Sequence, residues 1–193
     1  MAILGVDDFK SKLVGGGARG NLFKVTLNFP QYAQGDVELS SFMCKASQLP
    51  ASSVAKIEVP FRGRNVAIAG DRTFDDWTVT IINDTSFNIR DAMEQWSNSI
   101  NDLQFDGGIT NPAGYQTDAF VTQLGRVSDN KGTLSNGQEN MQQIRQYQFF
   151  GIYPNAVSSI PLDYGATDQI EEFQVTFNYI YWTVVSGPNI ANG

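Results

Sequence analysis

Phe173-Gln174-Val175-Thr176-Phe177-Asn178-Tyr179-Ile180-Tyr181 carries an aromatic or β-branched residue at every second position. Successive side chains of a strand point to opposite faces, so Phe173, Val175, Phe177, Tyr179 and Tyr181 share one face. Gln174, Thr176 and Asn178 share the other. Such alternation fits a pleated surface with one side buried, and it predicts a single strand over residues 173–181. A helix of this composition would wrap aromatics around its whole circumference. The chain therefore reads as β-rich from its C-terminal end.

Working outward, the same period of two recurs. Trp77, Val79 and Ile81 alternate with Asp76, Thr78 and Thr80, predicting a strand over 74–82. Val25, Leu27 and Phe29 alternate with Lys24, Thr26 and Asn28, and Pro30 ends that strand. Residues 119–127 and 144–153 read as strands, as does 39–45 with weaker alternation. Ile57, Val59 and Phe61 lead into Arg62-Gly63-Arg64-Asn65, a turn signal, and Val66, Ile68 and Gly70 return as the second arm of a hairpin. One substantial helix interrupts the pattern. Ile89, Ala92, Met93, Trp96, Ile100 and Leu103 recur at intervals of three and four, with Thr85 or Ser86 as N-cap and Asp106-Gly107-Gly108 as the stop. A shorter helical turn is expected around Phe9, Leu13 and Val14, ended by Gly15-Gly16-Gly17. The expected fold is mainly β, an antiparallel β-sandwich or barrel with one flanking α-helix.

Composition excludes whole classes of chemistry. The 193 residues include no His and a single cysteine, Cys44. A Ser-His-Asp triad, a Cys-His dyad, a His-ligated metal and an internal disulfide are all impossible. Length favours one domain, with residues 1–20 as an N-terminal arm and 186–193 as a flexible C-terminal tail. Asp7 and Asp8 precede any useful apolar run, so no secretory signal is expected, and no stretch is long and apolar enough to anchor the chain in a membrane. These features fit the cytoplasm.

The net charge is −7, unevenly spread. Residues 1–70 hold eight Lys/Arg and five Asp/Glu; residues 71–193 hold five and fifteen. Most of the surface should repel nucleic acid. The basic exception is Lys56, Arg62 and Arg64, interleaved with Ile57, Val59 and Phe61. That hairpin reads either as a ribbon entering a nucleic-acid groove or as one docking on an acidic surface of another copy. The acidity of the rest of the chain favours the second reading.

Other candidates have simpler explanations. Gly15, Gly17 and Gly20 match a dinucleotide-loop spacing but lack the preceding strand and following helix that such a loop needs. Asp71, Asp75 and Asp76 beside Arg72 could be paired carboxylates of a hydrolase or a cation site. An ion pair with Arg72 or a solvated face explains them better, because no calcium-loop spacing is present. Asn83-Asp84-Thr85 matches a glycosylation acceptor that means nothing without a secretory route. Trp77, Trp96 and Trp182 sit in apolar patterns and read as core.

Several stretches, taken in order, resemble a known family. They are Asn21-Leu22-Phe23-x-Val25, Cys44-Lys45-Ala46-x-x-Leu49-Pro50, Gly151-Ile152-Tyr153-Pro154-Asn155 and the closing run to Trp182. The most specific is Ala69-Gly70-Asp71-Arg72-Thr73-Phe74-Asp75-Asp76-Trp77-Thr78-Val79-Thr80. Together they resemble the tail tube proteins of contractile-tailed bacteriophages, over nearly the whole chain. The loop from Ser128 to Asn140 and the tail from Ser186 look longer than the family pattern.

The resemblance implies a non-enzymatic virion protein without cofactors. Six copies would form a ring whose inner strands join into a continuous barrel, and rings would stack into a hollow tube. Implied partners are further copies of the chain, the tail sheath protein, a baseplate or tube initiator, the tape measure protein and a tail terminator, with genomic DNA passing through without specific binding. Assembly would take place in the host cytoplasm. A net-negative lumen is expected from the acidic later part of the chain. Alternatives within the same fold are a tube-initiating or tube-capping protein, or the tube subunit of a phage-derived contractile injection system.

Overall fold

The computed structural model describes residues 5–13, 17–105, 107–126 and 143–186. Val14, Gly15, Gly16, Asp106, the Ser128–Asn140 loop and the tail beyond Ser186 lie outside the described residues.

In chain order the elements are α1 (Val6–Lys12), β1 (Phe23–Leu27), a 3-10 turn (Gln31–Ala33), α2 (Val37–Met43) and β2 (Cys44–Ser47). Then follow β3 (Ser53–Phe61), β4 (Arg64–Thr73), β5 (Trp77–Ile82), α3 (Asn88–Ile100) and α4 (Pro112–Tyr115). The last four are β6 (Thr117–Leu124), β7 (Gln143–Val157), β8 (Glu172–Asn178) and β9 (Tyr181–Ser186). Seven strands form the antiparallel path β1-β6-β7-β8-β5-β2, with β9 added to β7; β3 and β4 pair separately. Because β7 is 15 residues long, it serves two layers. Its first half lies between β6 and β9, and its second half pairs with β8. The layers meet over one core in which the rings of Trp77 on β5 and Phe149 on β7 stack 4.4 Å apart. The expected mainly β fold with one substantial helix is what the chain adopts.

The core follows from the periodicity. Trp77, Val79 and Ile81 are buried, and in register with them are Phe177, Val175 and Phe173. Leu27, Ala119 and Phe149 form a matching buried row in the other layer. On α3 the buried stripe is Ile89, Ala92, Met93 and Trp96, and the Trp96 indole donates to the Tyr115 carbonyl at 2.8 Å.

Four expectations are corrected. The run 173–181 is two strands, because the chain leaves one layer at Tyr179-Ile180; Tyr179 is buried, whereas Tyr181 begins β9 and pairs with Phe150. The stretch 39–45 is mostly helix, since the Asp36 carboxylate accepts from Glu38 N and Leu39 N and so starts α2. Neither Thr85 nor Ser86 caps α3; Phe87 occupies that position with a left-handed backbone, and the helix ends at Ile100, leaving Leu103 exposed. Finally, residues 74–76 link β4 to β5 rather than opening the strand, which begins at Trp77.

Candidate assembly surface

Strands β3 and β4 form a ribbon that leaves the sandwich. The turn at its tip has two residues, Arg62 (φ 47°) and Gly63 (φ 78°), both in the left-handed region. Two consecutive positive φ values twist a two-residue loop in the sense the flanking strands require, and glycine adopts that geometry freely. Arg64 and Asn65 already belong to β4 and pair with Phe61 and Pro60. Further down, Val59 faces Val66 and Ile57 faces Ile68, while Glu58 and Lys56 face Ala67 and Ala69. One face is therefore apolar: Ile57, Val59, Phe61, Val66 and Ile68, each between 42% and 60% exposed. The other face is polar, with a Lys56–Glu58 ion pair and Asn65 donating to Glu58 at 3.2 Å. Along the whole ribbon only Gly70 is even half-buried. At the tip, the Arg62 guanidinium lies 5.3 Å from the centre of the Phe61 ring.

Five uncovered apolar side chains on a two-stranded ribbon are an anomaly for an isolated subunit. An isolated hairpin is marginal in water, and contiguous exposed apolar surface marks an interaction site. Of the six residues that the sequence singled out, Ile57, Val59, Phe61 and Arg64 share one face of the ribbon and Arg62 its tip, whereas Lys56 lies on the opposite face, paired with Glu58.

The stretch Ala69 to Trp77 is the joint between ribbon and core. Ala69, Gly70, Asp71, Arg72 and Thr73 complete β4, and Thr73 Oγ1 lies 2.7 Å from Ser53 Oγ across the ribbon base. Phe74 packs on Tyr179 with ring centres 5.9 Å apart, and Asn178 donates to the Asp76 carboxylate at 3.1 Å. Trp77 enters the core, and its indole donates to Gln48 O at 3.0 Å and Ser47 Oγ at 3.1 Å. Across the ribbon base, the Trp182 indole donates to the Ala51 carbonyl at 3.3 Å. The Tyr179 hydroxyl is held above its ordinary pKa, first by burial and then by the negative charges of Asp75 and Asp76. Among the described residues Arg72 makes no ion pair, so the expected pairing with Asp71, Asp75 or Asp76 is absent. Nor is there a carboxylate, cysteine or histidine cluster fit to hold a metal among them.

Strands β1, β2 and β9 each pair on one side only within the described chain. Their free edges can accept a further strand, a liability in a monomer that a neighbouring copy can cover. The faces turned away from the core are nearly neutral and mainly polar, although Phe120 and the stacked Phe150–Tyr181 pair share the first of them. One layer presents Lys24, Thr26, Asp118, Gln146, Gln148 and Thr183, with Gln148 donating to Asp118 at 3.1 Å. The other presents Thr78, Thr80, Gln174, Thr176 and the Lys45–Glu172 pair.

Residues 158–171, between β7 and β8, escaped the reading of the sequence. Leu162, Tyr164 and Ile170 there are almost fully exposed. The available signal was compositional: four carboxylates and no basic residue between positions 158 and 172.

Comparison with known proteins bears on what such a surface serves. The phage tail tube protein family model matches residues 18–185. The tail tube protein gp19 of Enterobacteria phage T4 is 34% identical over 86% of this chain and 90% of its own length. The tail tube protein gp19 of Enterobacteria phage T6 has the same identity and coverage. In fold, the chain is similar to the tube-terminating cap of the anti-feeding prophage (TM-score 0.59, 16% identity, 89% of this chain and 92% of that one). It is also similar to a chain of the sheath-tube complex of the PVC extracellular contractile injection system in its extended state (TM-score 0.55, 14% identity, 90% and 95%). With the family model spanning most of its length and relatives above 30% identity, the chain belongs to the phage tail tube protein family.

Proposed function

We infer that this chain is the structural subunit of a phage tail tube, a virion component rather than an enzyme. Six copies close into a ring and rings stack into a hollow tube, which the sheath drives through the host envelope on contraction so that the genome can pass. The observation that carries this reading is the β3–β4 ribbon, whose apolar row is uncovered in the subunit and needs another copy to bury it. The free edges of β1, β2 and β9 supply the second requirement, lateral pairing within a ring. Sheath, baseplate initiator, tape measure and terminator are the partners that a tube of this family requires, with assembly in the host cytoplasm.

The lumen is read as polar and net negative, a reading supported by the excess of acidic over basic residues after position 70. Among the described residues, Asp75, Asp76, Asp163, Asp168 and Glu171 sit on links and loops, while the outward sheet faces carry mainly Thr and Gln. Neither face offers the row of basic side chains that would grip phosphates. A sliding duplex would meet hydrated amides and hydroxyls instead.

The test is the double variant Arg62→Glu/Arg64→Glu, followed by sedimentation. Stable, folded subunits that no longer sediment as tubes are expected. Unchanged tube formation would remove the ribbon from the interface.

A further inference from the structure

The β3–β4 ribbon has a chemical complement elsewhere on the same chain. Residues 158–171 border an open cleft of about 520 Å³ lined by Ile160, Pro161, Leu162, Asp163, Ile170 and Glu171 among others. Its apolar lining faces outward next to carboxylates, and no Lys or Arg lies between positions 158 and 172. The ribbon, residues 53–73, carries Lys56, Arg62, Arg64 and Arg72 against Glu58 and Asp71 only. Its tip presents a phenyl ring with a guanidinium over it. An apolar tip beside positive charge thus exists on one surface, and an open apolar cleft beside Asp163 and Glu171 on another, with Lys45 on Glu172 and Arg90 on the Ser158 carbonyl at its edge.

We propose that the cleft of residues 158–171 receives the β3–β4 tip of a second copy, with Phe61 against Ile160, Leu162 and Ile170 and with Arg62 and Arg64 toward Asp163 and Glu171. This rests on the tail tube reading and adds the surface on which the ribbon lands. Tip and cleft lie on different surfaces, so the contact is head-to-tail. Such a contact does not saturate with two copies and propagates into an open assembly, as a growing tube requires. Opposite charge steers the approach and fixes the register, while the buried phenyl ring supplies affinity. Asp163 contributes most of the charge, since Glu172 is already paired with Lys45 and Glu171 already accepts from Asn83 at 3.0 Å.

Crosslinking tests the pairing directly. The one native thiol, Cys44, is held at a pKa of about 12 by burial, so it adds little background. Tubes of the double variant Asn65→Cys/Ala166→Cys should give, on mild oxidation, a ladder of covalent multimers that neither single variant gives. The second arm reverses charge. Arg62→Glu/Arg64→Glu should lower tube yield at least tenfold, and adding Asp163→Arg/Thr167→Arg should restore most of it. Wild-type tubes with no ladder and no restoration would overturn the pairing while leaving the tube reading intact. A ladder from Asn65→Cys paired instead with Ser11→Cys would overturn it in favour of α1, whose Val6, Phe9 and Leu13 are also exposed. Failure of the wild-type chain to form any ring or tube would remove both readings together.

Discussion

A Cβ placed on Gly151 would lie 2.7 Å from Ile180 Cδ1, closer than side-chain carbons pack. The two residues mark the corner of the sandwich. At Gly151 (φ 66°) β7 passes from one layer to the other, and at Ile180, whose N–H donates to the Phe150 carbonyl at 3.0 Å, the chain does the same between β8 and β9. A bulge of this kind re-aims a strand, and the left-handed backbone there suits glycine.

Gly151→Ala should therefore destabilise the subunit by roughly 1–3 kcal/mol, from left-handed strain together with the clash against Ile180. Denaturant unfolding of the variant measures it. A change within a few tenths of a kcal/mol would mean that the corner is not shaped as described.

Trp77 stacks on Phe149 and is closed in by Phe177, with ring centres 4.4 and 5.4 Å away. Trp77→Ala should cost about 3–5 kcal/mol through lost transfer free energy and the cavity left behind. Thermal melting of the unassembled subunit is the check, and a near-native melting temperature would contradict the packing of β5.

Val59→Asp/Ile68→Asp should do the opposite. Both side chains are about half exposed on the ribbon, so subunit stability should change by no more than about 0.5 kcal/mol. Tube formation, followed by light scattering, should nevertheless be lost. Unfolding of the subunit would show that the ribbon packs within its own chain.

Cys44 provides a pH prediction. Burial raises its thiol to about 12, against an ordinary value of 9.0, and a hydrogen bond to the Ala46 carbonyl accompanies it. With the folded value above the unfolded one, this thiol's contribution to stability is complete below pH 9 and declines as pH rises toward 12. Alkylation at pH 8 should be slow for the folded chain and prompt in denaturant. Equal rates in both states would contradict the burial.

Much of this architecture was legible in the residues. Period-two alternation located β1, β5 and the hairpin, and it identified Trp77, Val79, Ile81, Phe173, Val175 and Phe177 as core, because burial on one face leaves a direct trace in the pattern. The break at Tyr179-Ile180 left none: the inward-facing parity shifts there, from Tyr179 to Trp182 opposite Phe149, but Tyr181 is aromatic too and carries the alternation on. Asp36 capping α2 was readable three residues before Leu39 but was masked by β-branched and aromatic neighbours. On the ribbon, Lys56, Arg62 and Arg64 stood out through charge against an acidic background, and Ile57, Val59 and Phe61 through alternation. The acidic cleft did not, because loops carry no period, and only its missing Lys and Arg set it apart.

A tail tube subunit must polymerise into a hollow tube, which electron microscopy of the purified chain makes visible. Rings with six-fold symmetry that stack into tubes of uniform diameter with an open channel are expected. In fluorescence anisotropy across a salt series, those tubes should show no measurable affinity for labelled duplex DNA at physiological salt. Persistently monomeric protein at high concentration, or tight DNA binding with a steep salt slope, would contradict it.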